Sequence, residues 1–273
     1  MVYSSVYMKK FLVKPGTKIK LKDFDPSYTG RYEQKEEISA EFIKLNEKLL
    51  KFQEILFAQH KHKILVILQG MDTSGKDGTI RNVFRGVNPQ GVRVASFKVP
   101  TEAELERDYL WRIHQEVPKK GEIAIFNRSH YGDVLVVRVH NLVHPKVWKR
   151  RFAQINDFEK MLTEEGTTVI KLFLHVSKGE QKKRLQARID NPNKNWKFDL
   201  KDLDERKYWD NYTKAYEDVL SKTSTDWAPW YIVPSDRKWY RNLTVSRIIV
   251  KTLQQMDLRY PTSAEKLNNI SVE

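Results

Sequence analysis

The stretch "KILVILQGMDTSGKDGTIRNVF", from Lys63 to Phe84, contains the three parts that decide the fold. Ile64 to Leu68 form a short continuous apolar run with β-branched residues, which reads as a central parallel strand buried on both faces. Gly70 ends it. Gly70, Gly75 and Lys76 then match G-x-x-x-x-G-K, and Ile80, Val83 and Phe84 supply the apolar positions of a following helix.

The chain on either side repeats this alternation. Upstream, Ile38, Phe42, Leu45, Leu49, Phe52 and Leu56 recur at three- and four-residue spacing and predict an amphipathic helix from Lys35. Downstream, strand-like runs return at "VRVASFKV", "EIAIF", "TTVIKLFLHV" and "WYIVP", with helical patterns between them. Alternating strands and helices predict a parallel sheet with right-handed crossovers, hence an α/β fold arranged as a three-layer sandwich. Residues 1–34 mix aromatics, lysines and turn formers and read as an arm packed on the surface; 35–260 form the domain and 261–273 a tail. Inside the domain, "DNPNKNWKFDLKD" is polar, basic and poor in period, and it reads as a lid at about 189–204.

Composition narrows the function classes. The 273 residues carry 49 Lys+Arg against 35 Asp+Glu, a net charge of +14 with a pI near 9.6, so the surface attracts polyanions. Nucleic acid, an anionic membrane and long phosphates all qualify. With no cysteine there is no disulfide framework and no thiolate metal site, which fits a reducing cytosol. No apolar run approaches membrane-spanning length and the N-terminus lacks a signal-peptide pattern, so the expectation is a soluble, cytoplasmic protein.

The glycine loop is the first candidate site. In such a loop, backbone N–H groups at the helix start point at phosphate oxygens and the lysine brings a cation to the transferring group. Gly70, Thr73, Ser74, Gly75, Asp77 and Gly78 are therefore candidate phosphate-binding positions, with Lys76 the candidate catalytic cation. Asp77 stands where such loops usually carry a serine or threonine for magnesium, and Asp72 adds a second carboxylate. Carboxylates beside phosphates must face a cation, and a hard divalent ion takes one or two carboxylates plus substrate phosphates. Alternatively, Asp77 supports the helix start, where negative charge is favourable.

A second candidate segment is "AIFNRSHYGDV". Ligands gather at the carboxyl ends of parallel strands, so Asn127 and Arg128 are expected beside the phosphate loop. Asn127 can ligate a metal through its carbonyl or orient a metal-bound water. Arg128 is a natural clamp for phosphoryl oxygens, because its planar fork makes bidentate contacts. His130 reads as structural or substrate-orienting, since phosphoryl transfer rests mainly on positioning and charge stabilisation. Further on, Lys183, Arg184 and Arg188 lie on one helix leading to Lys194 and Lys197, and Arg184 and Arg188 share a face that calls for an anion. Trp227, Trp230 and Tyr231 are candidates to stack on a base, or else core residues.

The motifs "GMDTSGKDGT", "FNRSHYGDVLVVRV", "RLQARIDNPNKNWKF" and "DWAPWYIVPSDRKWYRN" resemble the family 2 polyphosphate kinases, from about Lys35 to Tyr260. The resemblance implies a P-loop kinase-like fold. It also implies phosphoryl transfer between inorganic polyphosphate and the purine nucleotides ADP and AMP, with GDP and GMP as further acceptors, and magnesium, or manganese in its place, as cofactor. On that basis Asp72 is the metal-ligating catalytic carboxylate, Lys76 the loop lysine and Arg128 a phosphate clamp. Arg184 or Arg188 is then the lid-side arginine. Many family members have aspartate where this chain has Asn127, and asparagine with "RSHY" looks like the branch acting on both monophosphates and diphosphates. Asp133 is then expected to assist the metal with Asp72 and Asn127. A homo-oligomer, dimer or tetramer, is implied by resemblance alone, with neither membrane nor nucleic acid as partner. The rival readings are an ATP-dependent nucleoside monophosphate kinase and, more distantly, a basic nucleic-acid-binding protein, although no groove-reading helix is visible.

Overall fold

The computed structural model describes residues 9–262 of the chain. Five strands, β1 (Lys63–Gln69), β2 (Val92–Ser96), β3 (Ile123–Asn127), β4 (Thr167–His175) and β5 (Trp230–Pro234), form one parallel sheet in the order β2-β3-β1-β4-β5. The principal helices are α1 (Glu36–Gln59), α2 (Lys76–Val83), α3 (Gly132–Val139), α4 (Pro145–Glu164), α5 (Lys178–Ile189), α6 (Lys201–Lys207), α7 (Trp209–Thr223) and α8 (Lys238–Gln255).

The period of two along a strand explains the three layers. Ile64, Val66 and Leu68 of β1 join Ile123, Ile125, Ile170 and Leu172 in a core with Leu49 and Leu56 of α1, Val83 of α2 and Val245, Ile249 and Leu253 of α8. Leu65 and Ile67 point the other way, into a core with Phe126, Phe173, Val134 of α3, Ile155 of α4 and Val219 of α7. Both faces of the sheet are covered, which is why the strands read as apolar runs rather than as alternating ones.

Chain order and spatial order diverge at β1. The chain leaves β1 for β2 and β3 on one side, then crosses to β4 and β5 on the other. That switch opens a crevice at the carboxyl ends of the strands. Register sets its contents: Leu68 lies opposite Asn127 on β3 and Leu172 on β4, so the loop after β1 begins beside the loop after β3.

Two expectations change. The described part of the arm is built into the core rather than laid over it: Phe11, Val13, Ile19 and Leu21 are buried, and Leu12 makes an antiparallel bridge to Tyr231 on β5. Val13 N donates to Trp230 O at 2.8 Å and Ile232 N to Phe11 O at 2.8 Å, so this segment satisfies a sheet edge that would otherwise be open. The lid segment is also more regular than its sequence. A 3₁₀ turn (Pro192–Lys197), capped by the Asn191 side chain accepting from Asn193 N, leads into α6. Residues 1–8 of the arm and 263–273 of the tail lie outside the described residues.

Candidate active site at the switch point

The loop from Gly70 to Gly75 connects β1 to α2, and its glycines are required by their surroundings. At Gly70, φ is +153°, and a Cβ there would stand 2.7 Å from both Leu174 O and the Ser74 hydroxyl. Thr73 takes a left-handed φ of +60°, which together with Gly75 at φ +106° folds the loop into a concave nest opening onto the first turn of α2. Helix α2 starts at Lys76, so its unsatisfied N–H groups face the same space.

Lys76 is nearly buried. Its Nζ donates to Gly70 O at 2.8 Å and Met71 O at 3.2 Å, folding the side chain back over its own loop. Burial is the main force pushing its pKa down to about 8, helped by Arg128 and Arg188 and opposed by Asp72 and Asp77. A polyanion arriving at the loop would reverse that shift by favouring the charged ammonium.

The two loop aspartates meet the end of β3. Arg128 Nη2 donates to Asp72 Oδ1 at 3.0 Å, and Asn127 Nδ2 donates to Asp77 Oδ1 at 2.7 Å. Arg128 sits at φ +64°, a strained setting for a residue with a Cβ, held because its N–H is tied to Leu68 O at 3.1 Å. The turn behind it is anchored in the core. His130 Nε2 lies 3.1 Å from Glu159 Oε1, Tyr131 donates to the same oxygen at 2.7 Å, and Lys171 donates to Glu159 Oε2 at 2.6 Å. His130 is thus structural.

These hydrogen bonds use one oxygen of each aspartate and the amide nitrogen of Asn127. Oxygens remain on Asp72, Asp77 and Asn127 to face a hard cation, a donor set that suits magnesium or manganese when phosphates complete the shell. Among the described residues no three His, Cys, Asp or Glu side chains gather into a self-sufficient metal cage.

Two sequence expectations are corrected here, and the open reading of the aromatics is narrowed. Asp133, expected near the metal, is buried in the first turn of α3, where its Oδ1 accepts from Arg151 Nη1 at 3.2 Å. Burial raises its pKa against the pull of Arg151 and Arg112, and a carboxylate so engaged serves as an anchor for α4. Arg184, expected to want a phosphate, is saturated by protein: Thr73 O at 2.9 Å, Ser74 O at 3.2 Å, Ser235 O at 2.5 Å, Asp236 O at 3.0 Å and Glu180 Oε1 at 2.8 Å. Of the aromatics, Trp230 is core, packed edge-on against Tyr131; Tyr231 packs against the α1–α8 core, and Trp227 lies half-exposed near Lys160.

The lid-side residues that do reach the crevice are Arg188 and a partner the sequence did not single out. Arg188 Nη1 donates to Asp202 Oδ2 at 3.2 Å and to Lys197 O at 3.0 Å. Asp202, on α6, has its pKa raised by burial and then by the charge of Asp72 in the phosphate loop. Lys194 is exposed in the 3₁₀ turn before α6. Two further basic residues, Lys238 and Arg241, stand at the start of α8, Arg241 against Ser74 O of the loop; the pKa of Lys238 is lowered by burial, Arg184 and Arg241. Both were legible only as residues following the carboxyl end of β5, the same positional rule that located Asn127.

Comparison with known proteins agrees with this architecture. The family described as Polyphosphate kinase 2 (PPK2) matches residues 32–261. The chain is 56% identical over 264 residues to the AMP/ADP-polyphosphate phosphotransferase of Meiothermus ruber, covering 95% of this chain and 99% of that one. It is 43% identical to the ADP-polyphosphate phosphotransferase of Rhodopseudomonas palustris, over 93% of this chain and 92% of the relative. The crystal structure of polyphosphate kinase 2 from Arthrobacter aurescens TC1 superposes with a TM-score of 0.89 at 42% identity, covering 93% of this chain and 91% of that one.

Proposed function

The chain belongs to the polyphosphate kinase 2 family, and from that premise we propose that it moves the terminal phosphoryl group of inorganic polyphosphate reversibly to ADP, AMP or both. The observation that carries this reading is the Asp72–Arg128 pair standing over a phosphate loop, in a chain matched almost end to end by a relative named for both acceptors. GDP and GMP are acceptors of the same chemistry. On the same reading the enzyme works as a homo-oligomer, dimer or tetramer, in the cytoplasm that holds its nucleotides.

The chain's own residues divide the work. The loop N–H groups and the start of α2 receive phosphate oxygens. Lys76 turns from Gly70 O and Met71 O towards the transferring group, and Arg128 leaves Asp72 to clamp its equatorial oxygens. An acceptor phosphate oxygen attacks in line, the new P–O bond forms as the bridging P–O bond of polyphosphate breaks, and the donor leaves one phosphate shorter. That oxygen is already ionised at neutral pH, so no general base is needed. Asp72, Asp77 and Asn127 would hold magnesium, which when bound supplies the positive charge that lets carboxylates and phosphates share the crevice. Arg188 and Lys194 guide the incoming phosphate chain, and the +14 surface raises its local concentration.

The test is luminescent detection of ATP after mixing the purified protein with Mg²⁺, polyphosphate and either ADP or AMP, with adenylate kinase contamination excluded. ATP from ADP is expected, and ATP from AMP alone places both steps in one site. Lys76→Ala should lower turnover by about a thousandfold or more while the far-UV spectrum stays native. Activity appearing only when ATP is offered to a nucleoside monophosphate would instead make this an ordinary nucleotide kinase.

A further inference from the structure

Two guanidinium groups lie beneath the phosphate loop, on the side away from the crevice. Arg184 comes from α5 and holds Thr73 O and Ser74 O; Arg241 comes from α8 and reaches Ser74 O at 3.3 Å. Arg241 is packed so closely under the loop that a Cβ on Gly75 would collide with its guanidinium, and one on Gly78 would stand 3.2 Å from Nη2. Those glycines therefore serve the underside of the loop as well as its turn.

The charge balance there is unusual. Arg184 has one carboxylate partner, Glu180. Arg241 is buried and its hydrogen bonds go to Ser74 O and to the side-chain oxygen of Asn242, both neutral; among the described residues no carboxylate pairs with it. Burial, then Arg184, push its pKa down to about 9. A buried cation without a counter-ion is costly, and a fold keeps one where something else offsets it. Among the described residues no carboxylate bonded to Arg241 beneath the loop does so. Above it, one peptide layer away, is the crevice.

We propose that Arg241, with Arg184, is a positioning pair for anion binding: the two guanidiniums orient the Thr73 and Ser74 carbonyls downward, so that the loop N–H groups face the phosphate, and their charge acts on that phosphate through the loop. The substrate is then the missing counter-ion of Arg241. This inference rests on the reading of the loop as a polyphosphate site and adds two residues that touch no substrate. It also ties the lid to the loop, because Arg184 seats α5 one turn before Arg188.

Thermal unfolding with and without inorganic tripolyphosphate, together with its dissociation constant, tests the pair without relying on turnover. Arg241→Met should leave the unliganded melting temperature unchanged or higher, because it removes an unpaired buried charge, while tripolyphosphate binds about twentyfold more weakly, the effect of one unit charge on another at a separation on the order of 10 Å and an effective dielectric near 20. In the transfer assay KM for polyphosphate should rise by the same factor, with kcat much less affected. Arg241→Lys, which keeps the charge, should restore most of the binding. A lower melting temperature with tripolyphosphate affinity within about twofold of wild type would reduce Arg241 to a structural residue, and a lysine variant as weak as the methionine one would overturn the charge argument. If Arg241→Met does not fold, Arg241→Gln replaces it in the same comparison. Wild-type protein that binds tripolyphosphate but makes no ATP would sink the proposed function and leave this comparison intact.

Discussion

Two ion pairs meet at the turn after β3, and they differ in almost every respect. Lys171–Glu159 is fully buried behind the turn; its ammonium is shared among Glu159 Oε2 at 2.6 Å, Thr223 O at 2.5 Å and the Tyr131 hydroxyl at 3.0 Å. Burial alone would raise the Glu159 carboxyl, but Lys171 and His130 outweigh it and hold it below the usual range. Arg128–Asp72, in front of the turn, is 54% and 28% exposed and joined by a single 3.0 Å contact. The first pair has every donor used and nothing to exchange with. The second is loose enough for a phosphate to take the place of either partner. One turn thus carries an immobile root and an exchangeable tip: the root fixes Tyr131 and His130, while Arg128 keeps its left-handed φ through its N–H bond to Leu68 O.

The largest effect should come from breaking the root. Lys171→Met leaves Glu159 charged and buried, and urea unfolding should show a loss of about 3–5 kcal/mol, much of it recovered when Glu159→Leu is added. No recovery in the double variant would mean the network matters for more than charge pairing. At the tip, Arg128→Ala should lower kcat/KM by about a hundred- to a thousandfold, as losing a charge-stabilising donor does. Its unfolding free energy should move by less than about 1 kcal/mol, as for exposed pairs. Equal destabilisation by the two substitutions would erase the contrast between root and tip.

A pH series sharpens the comparison at Lys76, whose charge belongs to the tip although its side chain is buried. With its pKa near 8 against an ordinary 10.5, the free enzyme should lose kcat/KM as pH rises past about 8, because the neutral amine no longer attracts phosphate. Stability should move the opposite way. Between about 8 and 10.5 the unfolded chain holds a proton that the folded one does not, so the contribution of this group to stability grows with pH across that window. Parallel pH profiles of kcat/KM and unfolding free energy that rise or fall together would contradict the assignment. The smallest effect should come from Asp133→Asn. The Mg²⁺ concentration for half-maximal activity should stay within about twofold of wild type, where loss of a metal-shell residue typically shifts metal affinity about ten- to a hundredfold.

Much of the fold could be read before any coordinates. The five apolar runs are the five strands, and Ile38 to Leu56 follow the spacing of α1. These signals are local: a strand covered on both faces has to be apolar along its length, and a helix with one covered face has to show its period. The lid was harder to read because its 3₁₀ turn and α6 are held by Arg188, Arg206 and Asp202 reaching across the segment rather than by periodic apolar burial.

The site divides in the same way. Gly70, Gly75 and Lys76 declare themselves because a tight nest at a helix start needs glycines and a cation in fixed order, and Asn127 and Arg128 follow from their place at a strand end. Sequence could not assign partners to charges. Arg184 and Arg188 are equivalent on a helical wheel, yet five protein oxygens surround the first while the side chain of the second bonds only to Lys197 O and Asp202 of the lid among the described residues; Asp133 looks like a metal ligand until Arg151 is seen against it. The sequence by itself therefore determined which apolar runs are strands, the loop and the chemical class of its ligand, since these depend on residues adjacent in the chain. Only the tertiary structure decided which charges are spent inside the protein and which are left for substrate, because a charge is satisfied by whatever lies within about 3–4 Å of it in space, and for Arg241 under Ser74 that neighbour is 167 residues away.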